Sequence, residues 1–241
     1  PMVLKLTSAG SGADYRDEAT NANVDLGSSS ISAVVNASGA NVTANITTLT
    51  DIAARLLTVS GGLLASGTVA AKVDAANLLV TKTFIDSTST ASIASLTPDF
   101  TVSTTGVVNT TASRYGQLLA GMSKQIQTTG TDLSFVQASL ANSVTFNYNS
   151  GTPASSTMTL GQAAKDAVFL AKVAQAAQLS ATSGVSSVLT AQDLIDYGVT
   201  GFSALSSTRQ TDVITRIVNG ANDGTGTDST NEVVALVAKV T

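Results

Sequence analysis

Carboxylates and hydroxyls are what this sequence offers for chemistry, because it contains no His, no Cys and no Trp. Asp223-Gly-Thr-Gly-Thr-Asp228, with Glu232 one turn beyond, sets three hard oxygen donors on and just after a Gly-rich loop. That combination suits calcium. The spacing departs from the helix-loop-helix calcium pattern, since the twelfth residue from Asp223 is Val234 and not Glu. The same residues also form a helix start, with Asp228 and Ser229 as cap and Glu232 closing a capping box. Capping takes precedence, and calcium at Asp223, Asp228 and Glu232 stands second; no other cofactor is expected. Asp14, Asp17 and Glu18, beside Tyr15 and Arg16, are the densest charge group in the chain. They read first as a solvated turn, and second as a calcium site or intersubunit salt bridge.

Other chemistries are harder to support. Without His or Cys there is no Ser-His-Asp triad, Cys nucleophile, zinc finger, haem or iron–sulfur ligation. A glycosidase carboxylate pair has little to draw on, with two Glu in the whole chain and no Trp to platform a sugar. Ser60-Gly-Gly-Leu63 lacks the Lys of a phosphate loop. The 12 Lys and Arg against 16 Asp and Glu leave a net charge of −4 and no basic face for nucleic acid. The chain is therefore expected not to be an enzyme. Four Asn-x-Ser/Thr sequons, at Asn36, Asn41, Asn45 and Asn109, would accept glycans if the chain is exported by a glycosylating cell. A sequence this rich in Asn, Ser and Thr holds several by chance.

The elements that must position these residues are built from small side chains. The 241 residues include 35 Thr, 30 Ser and 35 Ala; aromatics are 4% and charged residues 12%, half the usual charged share. Mean hydropathy is +0.27, so the chain is not disordered in composition. Small apolar side chains bury little area each, at about 25 cal/mol per Å². Stability then depends on close backbone approach or on burial between subunits. No stretch reaches the ~18 apolar residues of a membrane span, and Pro1–Leu6 lacks the pattern of a signal peptide.

Period assigns the elements. Met2/Leu4/Leu6 alternating with Val3/Lys5/Thr7 predicts a strand. Ile31–Val35, Asn41–Thr47, Leu78–Ile85 and Phe100–Val108 also read as strands. Asp51 and Arg55 at i,i+4 beside Ile52, Leu56 and Leu57 predict a helix stopped at Gly61-Gly62, and Ser87–Ser95 is a loop. Tyr115, Leu118, Leu119, Met122 and Ile126 mark an amphipathic helix, with a second over Leu133–Leu140. Ser143–Asn149 and Thr157–Leu160 form a hairpin. A Thr159/Gln162 capping box opens a largely apolar helix over Ala163–Leu179, whose narrow polar stripe marks it as the core. Capping boxes at Thr190/Asp193, Ser207/Gln210 and Ser229/Glu232 open three short helices, the first two ending at Gly198 and Asn219-Gly220.

The expected fold class is α+β, with a strand-rich N-terminal half and a helical C-terminal half. The alternative is mostly α, if the Ala- and Thr-rich Asn45–Val80 stretch is helical. Three segments follow: 1–110 strand-rich with one or two helices, 111–186 helices with a hairpin, and 187–241 a three-helix module.

Leu189-Thr-Ala-Gln-Asp-Leu-Ile-Asp-Tyr-Gly-Val-Thr-Gly201, Val213–Val218, Asn222-Asp-Gly-Thr-Gly-Thr-Asp228 and Glu232-Val-Val-Ala-Leu-Val237 together resemble a small helical module. It recurs in very large repetitive surface and secreted proteins of bacteria, including adhesins, and the likeness covers about the last fifty residues. The resemblance implies a non-catalytic element in an extracellular or cell-surface setting. The apolar tail Val233–Val240 would also suit an exporter that reads the C-terminus. With the composition, this points to an extracellular structural protein that self-assembles into a filament, tubular appendage or surface layer. A virion capsid, tube or fibre protein, or an adhesive module of a longer surface protein, are the alternatives. The expected partner is the chain itself, as homo-oligomer or polymer, with no nucleic acid and no transmembrane segment.

Overall fold

The computed structural model describes every residue except 9, 11, 13, 17–22, 38, 40, 104–105, 108–109, 130–132, 185–187, 224–229 and 240–241. The alternating N-terminus is strand β1, Met2–Thr7. After the short pair β2 (Tyr15–Arg16) and β3 (Asn23–Val24), strand β4, Ser30–Val35, runs antiparallel to β1, from Met2 opposite Val35 to Thr7 opposite Ser30. Ile31, Ala33, Val34 and Val35 of β4 are all buried, so the strand is covered on both faces. Helix α1, Thr48–Arg55, follows. The Thr47 hydroxyl accepts from Thr50 N, and Thr50 Oγ1 accepts from Thr47 N, closing a capping box.

Three expected strands differ in the structure. Leu78–Ile85 falls in helix α2, Ala70–Phe84, save for Ile85 at its C-terminal cap. Val73, Ala76, Asn77, Val80, Thr81 and Phe84 recur at helical spacing and are all buried. Packing of that stripe overrides the β preference of the Val-Thr-Lys-Thr-Phe-Ile run. Asn41–Thr47 joins no ladder; Asn45 N donates to Ala94 O at 2.8 Å instead. The helical alternative for Asn45–Val80 is realised over α1 and over Ala70–Val80 of α2. The described residues of the Phe100–Val108 stretch hold a two-residue ladder rather than one strand, β5 (Val102–Ser103) antiparallel to β6 (Gly106–Val107).

Helices α3 (Thr111–Thr129) and α4 (Leu133–Asn142) lead into the predicted hairpin, β7 (Val144–Asn147) with β8 (Thr157–Leu160). Helix α5, Gln162–Ser183, follows after Gly161. Its cap is not Thr159, which lies within β8. Ser143 supplies it from across the ladder, its Oγ accepting from Ala164 N at 3.0 Å. Helix α6, Ala191–Tyr197, has the predicted Thr190/Asp193 box and ends on Gly198 at φ 91°, a left-handed position that favours glycine. Helix α7, Ser207–Asp223, runs past Asn219-Gly220, and Ser206 rather than Ser207 receives a first-turn N–H, from Arg209 at 3.4 Å. Helix α8 is Thr230–Ala238. The fold is α+β: eight α-helices and four two-stranded antiparallel ladders among the described residues. None of those helices is long and apolar enough to cross a membrane.

Two compact units interleave along the chain, one of Pro1–Asp17, Asn21–Pro98 and Gly130–Ala164, the other of Glu18–Thr20, Asp99–Thr129 and Lys165–Thr241. Segments 1–110 and 111–186 each contribute to both, whereas 187–241 lies in the second. The core of the first unit gathers Val34, Ala54, Leu57, Val73 and Ala76.

The second unit is organised by α5. Phe169 and Val173 on one side join Leu194, Phe202, Ile217 and Val237 of the C-terminal segment in one core. Part of the polar stripe of α5 is bound rather than solvated, while Gln162 and Lys165 are exposed. Lys172 forms an ion pair with Asp193, Tyr197 Oη donates to Asp166 at 2.5 Å, and the Phe169 and Tyr197 rings stack with centroids 4.6 Å apart. On another side α5 runs antiparallel to α3. Gln175 Nε2 donates to Gln117 Oε1 at 2.6 Å, and one turn along, a Cβ on Gly121 would stand 2.0 Å from Ala171 O.

Candidate functional site

The β1/β4 ladder has two outer edges, and the sequence treats them differently. The edge of β4 is closed by side chains. Ser32 N donates to Asp51 Oδ1 at 2.8 Å, Ser32 O accepts from Thr50 Oγ1 at 3.0 Å, and Val34 O accepts from Asn77 Nδ2 at 2.8 Å. Helices α1 and α2 thus stand where a third strand would, satisfying groups that must be paired when buried. Beyond the strand, Asn36 Nδ2 donates to Ala70 O at 3.0 Å and to Asp74 Oδ1 at 2.7 Å, fixing the end of β4 to the start of α2.

Those bonds also settle the phase of the ladder. Backbone groups of Ser32 and Val34 point away from β1, so Lys5↔Ser32 and Val3↔Val34 are non-hydrogen-bonded pairs. By the same alternation Val3, Lys5 and Thr7 turn their N–H and C=O groups away from β4. Among the described residues, no hydrogen bond reaches that row. The strand beneath it alternates in exposure from Leu4 on: Lys5 and Thr7 are exposed and Leu4 and Leu6 half-buried, while Met2 is exposed and Val3 half-buried. An unpaired row of this kind is a template for another strand. Lys5 is the single charge on it, which limits indiscriminate pairing.

Asp51 carries the closure of the other edge. It is 2% exposed and both oxygens are engaged, Oδ1 by Ser32 and Oδ2 by Arg55 Nε at 2.5 Å. Arg55 Nη2 reaches on to Gln137 Oε1 at 3.4 Å. Burial pushes the Asp51 carboxyl above its ordinary value of 3.8, while the Arg55 guanidinium and the Ser32 N–H hold it back. A raised folded-state pKa means that the folded chain binds this proton before the unfolded chain does. The contribution of Asp51 therefore grows as pH falls through its raised pKa, and shrinks towards neutrality. Between pH 7 and about pH 4.5 the denaturation midpoint of the native chain should gain on that of Asp51→Asn, measured in urea. A gap that moves the other way contradicts this.

A groove of about 510 Å³ lies nearby in the same unit, lined by Arg55, Leu56, Thr58, Val59, Ala138, Ala141, Asn142 and Val144. Arg55 is its ionisable lining group, and Asp51 already neutralises it.

Among the described residues, no group of three or more carboxylates gathers as a metal site. Asp223 ends α7 and Glu232 sits in the first turn of α8; Asp228 and Ser229 lie outside the described residues, as do Asp17, Glu18 and Asn109. Asp14 Oδ2 accepts from Leu26 N at 2.9 Å, so it holds the turn that leads into β4. The residues that close the sheet edge, Thr50, Asp51 and Asn77, were not expected as a group. A signal existed: Asn77 and Thr81 are polar residues at core-facing positions of one helical stripe.

Comparison with protein-family models, with curated proteins and with solved structures finds no match to this chain.

Proposed function

We propose that this chain is a non-enzymatic extracellular structural protein whose copies self-assemble into a filament, tubular appendage or surface layer, joined by strand addition at β1. The observation that carries this reading is the asymmetry of the β1/β4 ladder. One edge is closed by Thr50, Asp51 and Asn77; the other, with its Val3, Lys5 and Thr7 backbone groups, is open. Main-chain hydrogen bonds supply the affinity in strand addition, and flanking side chains supply the specificity. A charge content of 12% lets like subunits approach without strong repulsion. Ser, Thr and Asn offer neutral hydrogen bonds at the contact. The C-terminal likeness to modules of bacterial surface proteins supports the extracellular setting, and the engaged state of Asp51 and Arg55 gives the nearby groove no proton-transfer pair.

Proline at position 5 tests this. Lys5 N–H takes no part in the β1/β4 ladder, so Lys5→Pro removes an outward donor and adds a ring at the open edge, a place where sheets tolerate proline. The variant should keep the circular dichroism spectrum of the native chain. Its critical concentration for assembly, by light scattering and electron microscopy, should rise at least about tenfold, equivalent to ~1.4 kcal/mol per contact. Unchanged assembly in Lys5→Pro would remove β1 from the interface.

A further inference from the structure

We infer that, of the three sequons whose Asn lies among the described residues, Asn36, Asn41 and Asn45, Asn41 is the N-glycan acceptor, a reading that rests on the proposed extracellular setting. Transfer to a sequon joins the Asn amide nitrogen to C1 of an oligosaccharide carried on a lipid pyrophosphate. The N–C1 bond forms, the C1–O bond to the pyrophosphate breaks, the lipid pyrophosphate leaves, and one amide proton passes to a base of the transferase. The amide must therefore be free of other acceptors, and the Ser/Thr hydroxyl two residues on must be free to meet the enzyme.

The fold separates the sequons on these terms. Asn36 has spent both amide hydrogens, on Ala70 O at 3.0 Å and Asp74 Oδ1 at 2.7 Å, and its Oδ1 is buried. Asn45 Nδ2 donates to Leu96 O at 3.1 Å, and its backbone N to Ala94 O at 2.8 Å. The hydroxyl of its sequon belongs to Thr47, 8% exposed, which caps α1 by accepting from Thr50 N. Releasing that hydroxyl would uncap the helix, a cost of about 1 kcal/mol. Asn41-Val-Thr43 differs on every count. Asn41 and Thr43 are exposed, the stretch belongs to no helix or ladder, and neither side chain is engaged by another described residue.

The test uses purified, folded, full-length chain carrying Asn109→Gln, so that the three sequons compared here are the acceptors. It is incubated with a single-subunit oligosaccharyltransferase and a lipid-pyrophosphate-linked oligosaccharide, and sites are mapped by peptide mass spectrometry. Synthetic peptides spanning each sequon are the positive controls. The expected result is one glycan, at Asn41, lost in Asn41→Gln and in Thr43→Ala and kept in Thr43→Ser, while all three peptides are modified. Occupancy of Asn36 or Asn45 in the folded chain, or no transfer to Asn41 while its peptide is modified, overturns the assignment. The reaction on purified protein depends only on the acceptor; the extracellular reading is tested apart, by surface labelling of cells that make the chain.

Discussion

Gly121→Ala is expected to abolish the α3/α5 packing and with it the cooperative folding of the second unit. In an exposed helix interior this change stabilises by about 1 kcal/mol, because Ala restricts the unfolded chain and Gly does not. Here the sign reverses. The new Cβ would lie 2.0 Å from Ala171 O, 2.7 Å from its carbonyl carbon and 3.2 Å from its Cα. All three are backbone atoms of α5, so no side-chain rotation relieves the clash. The helices must separate, and separation breaks the Gln117–Gln175 bond and opens voids around Leu118, Leu119 and Met122, each at most 3% exposed. Overpacking of this order costs more than about 4 kcal/mol, a large part of a domain's stability. Thermal melts followed by circular dichroism should show a large loss of the transition. Gly151→Ala, whose nearest neighbour is Asn149 Oδ1 at 3.6 Å, should stay within about 0.5 kcal/mol as the control. A Gly121→Ala chain as stable as the native one would mean that the helices do not approach this closely.

Asp51→Ala has the second largest expected effect. It leaves the Ser32 N–H without its acceptor and Arg55 without its counter-charge, next to the fully buried Gln137. An unpaired buried donor and a broken, partly buried ion pair together cost about 3 kcal/mol, which urea denaturation would measure. Asp51→Asn should recover part of this, since its amide oxygen can still accept from Ser32. The consequence for assembly is separate and more diagnostic. With the acceptor gone, β4 also presents an unsatisfied edge, so Asp51→Ala should form disordered aggregates in place of regular polymers. Equal stability of Asp51→Ala and the native chain would show that the helices do not close this edge.

How much of this was legible in the sequence depends on how far apart the partners lie. The β1 alternation, the Tyr115–Met122 stripe, the β7–β8 hairpin and the Thr190/Asp193 box are local patterns, and each appears where its period places it. Helix α2 was hidden by local chemistry. Val69 stands at its start with no side-chain cap, and its second half is a β-branched run whose helical register shows only against Val73 and Ala76. The α5 cap departs from the local Thr159/Gln162 pattern because its acceptor, Ser143, reaches Ala164 across the ladder rather than along the chain. Asp51 is the clearest case. Its i,i+4 partner Arg55 is evident in the sequence, but the bond that closes β4 goes to Ser32, 19 residues earlier, and no periodicity marks it. Gly121 carries a weaker sign, as one of two glycines, with Gly116, inside an otherwise regular helical pattern. Only the crossing with Ala171 gives it a reason.

The central claim, that copies join through the open edge of β1, is tested most directly by amide hydrogen exchange in monomeric and assembled protein. Val3, Lys5 and Thr7 point their N–H groups away from β4, whereas Leu4 and Leu6 bond within the ladder. Strand addition predicts that the Val3, Lys5 and Thr7 amides exchange fast in the monomer and become protected on assembly, with Leu4 and Leu6 protected in both. Fast exchange of all three in the assembled protein, or a chain that stays monomeric at high concentration, would contradict it.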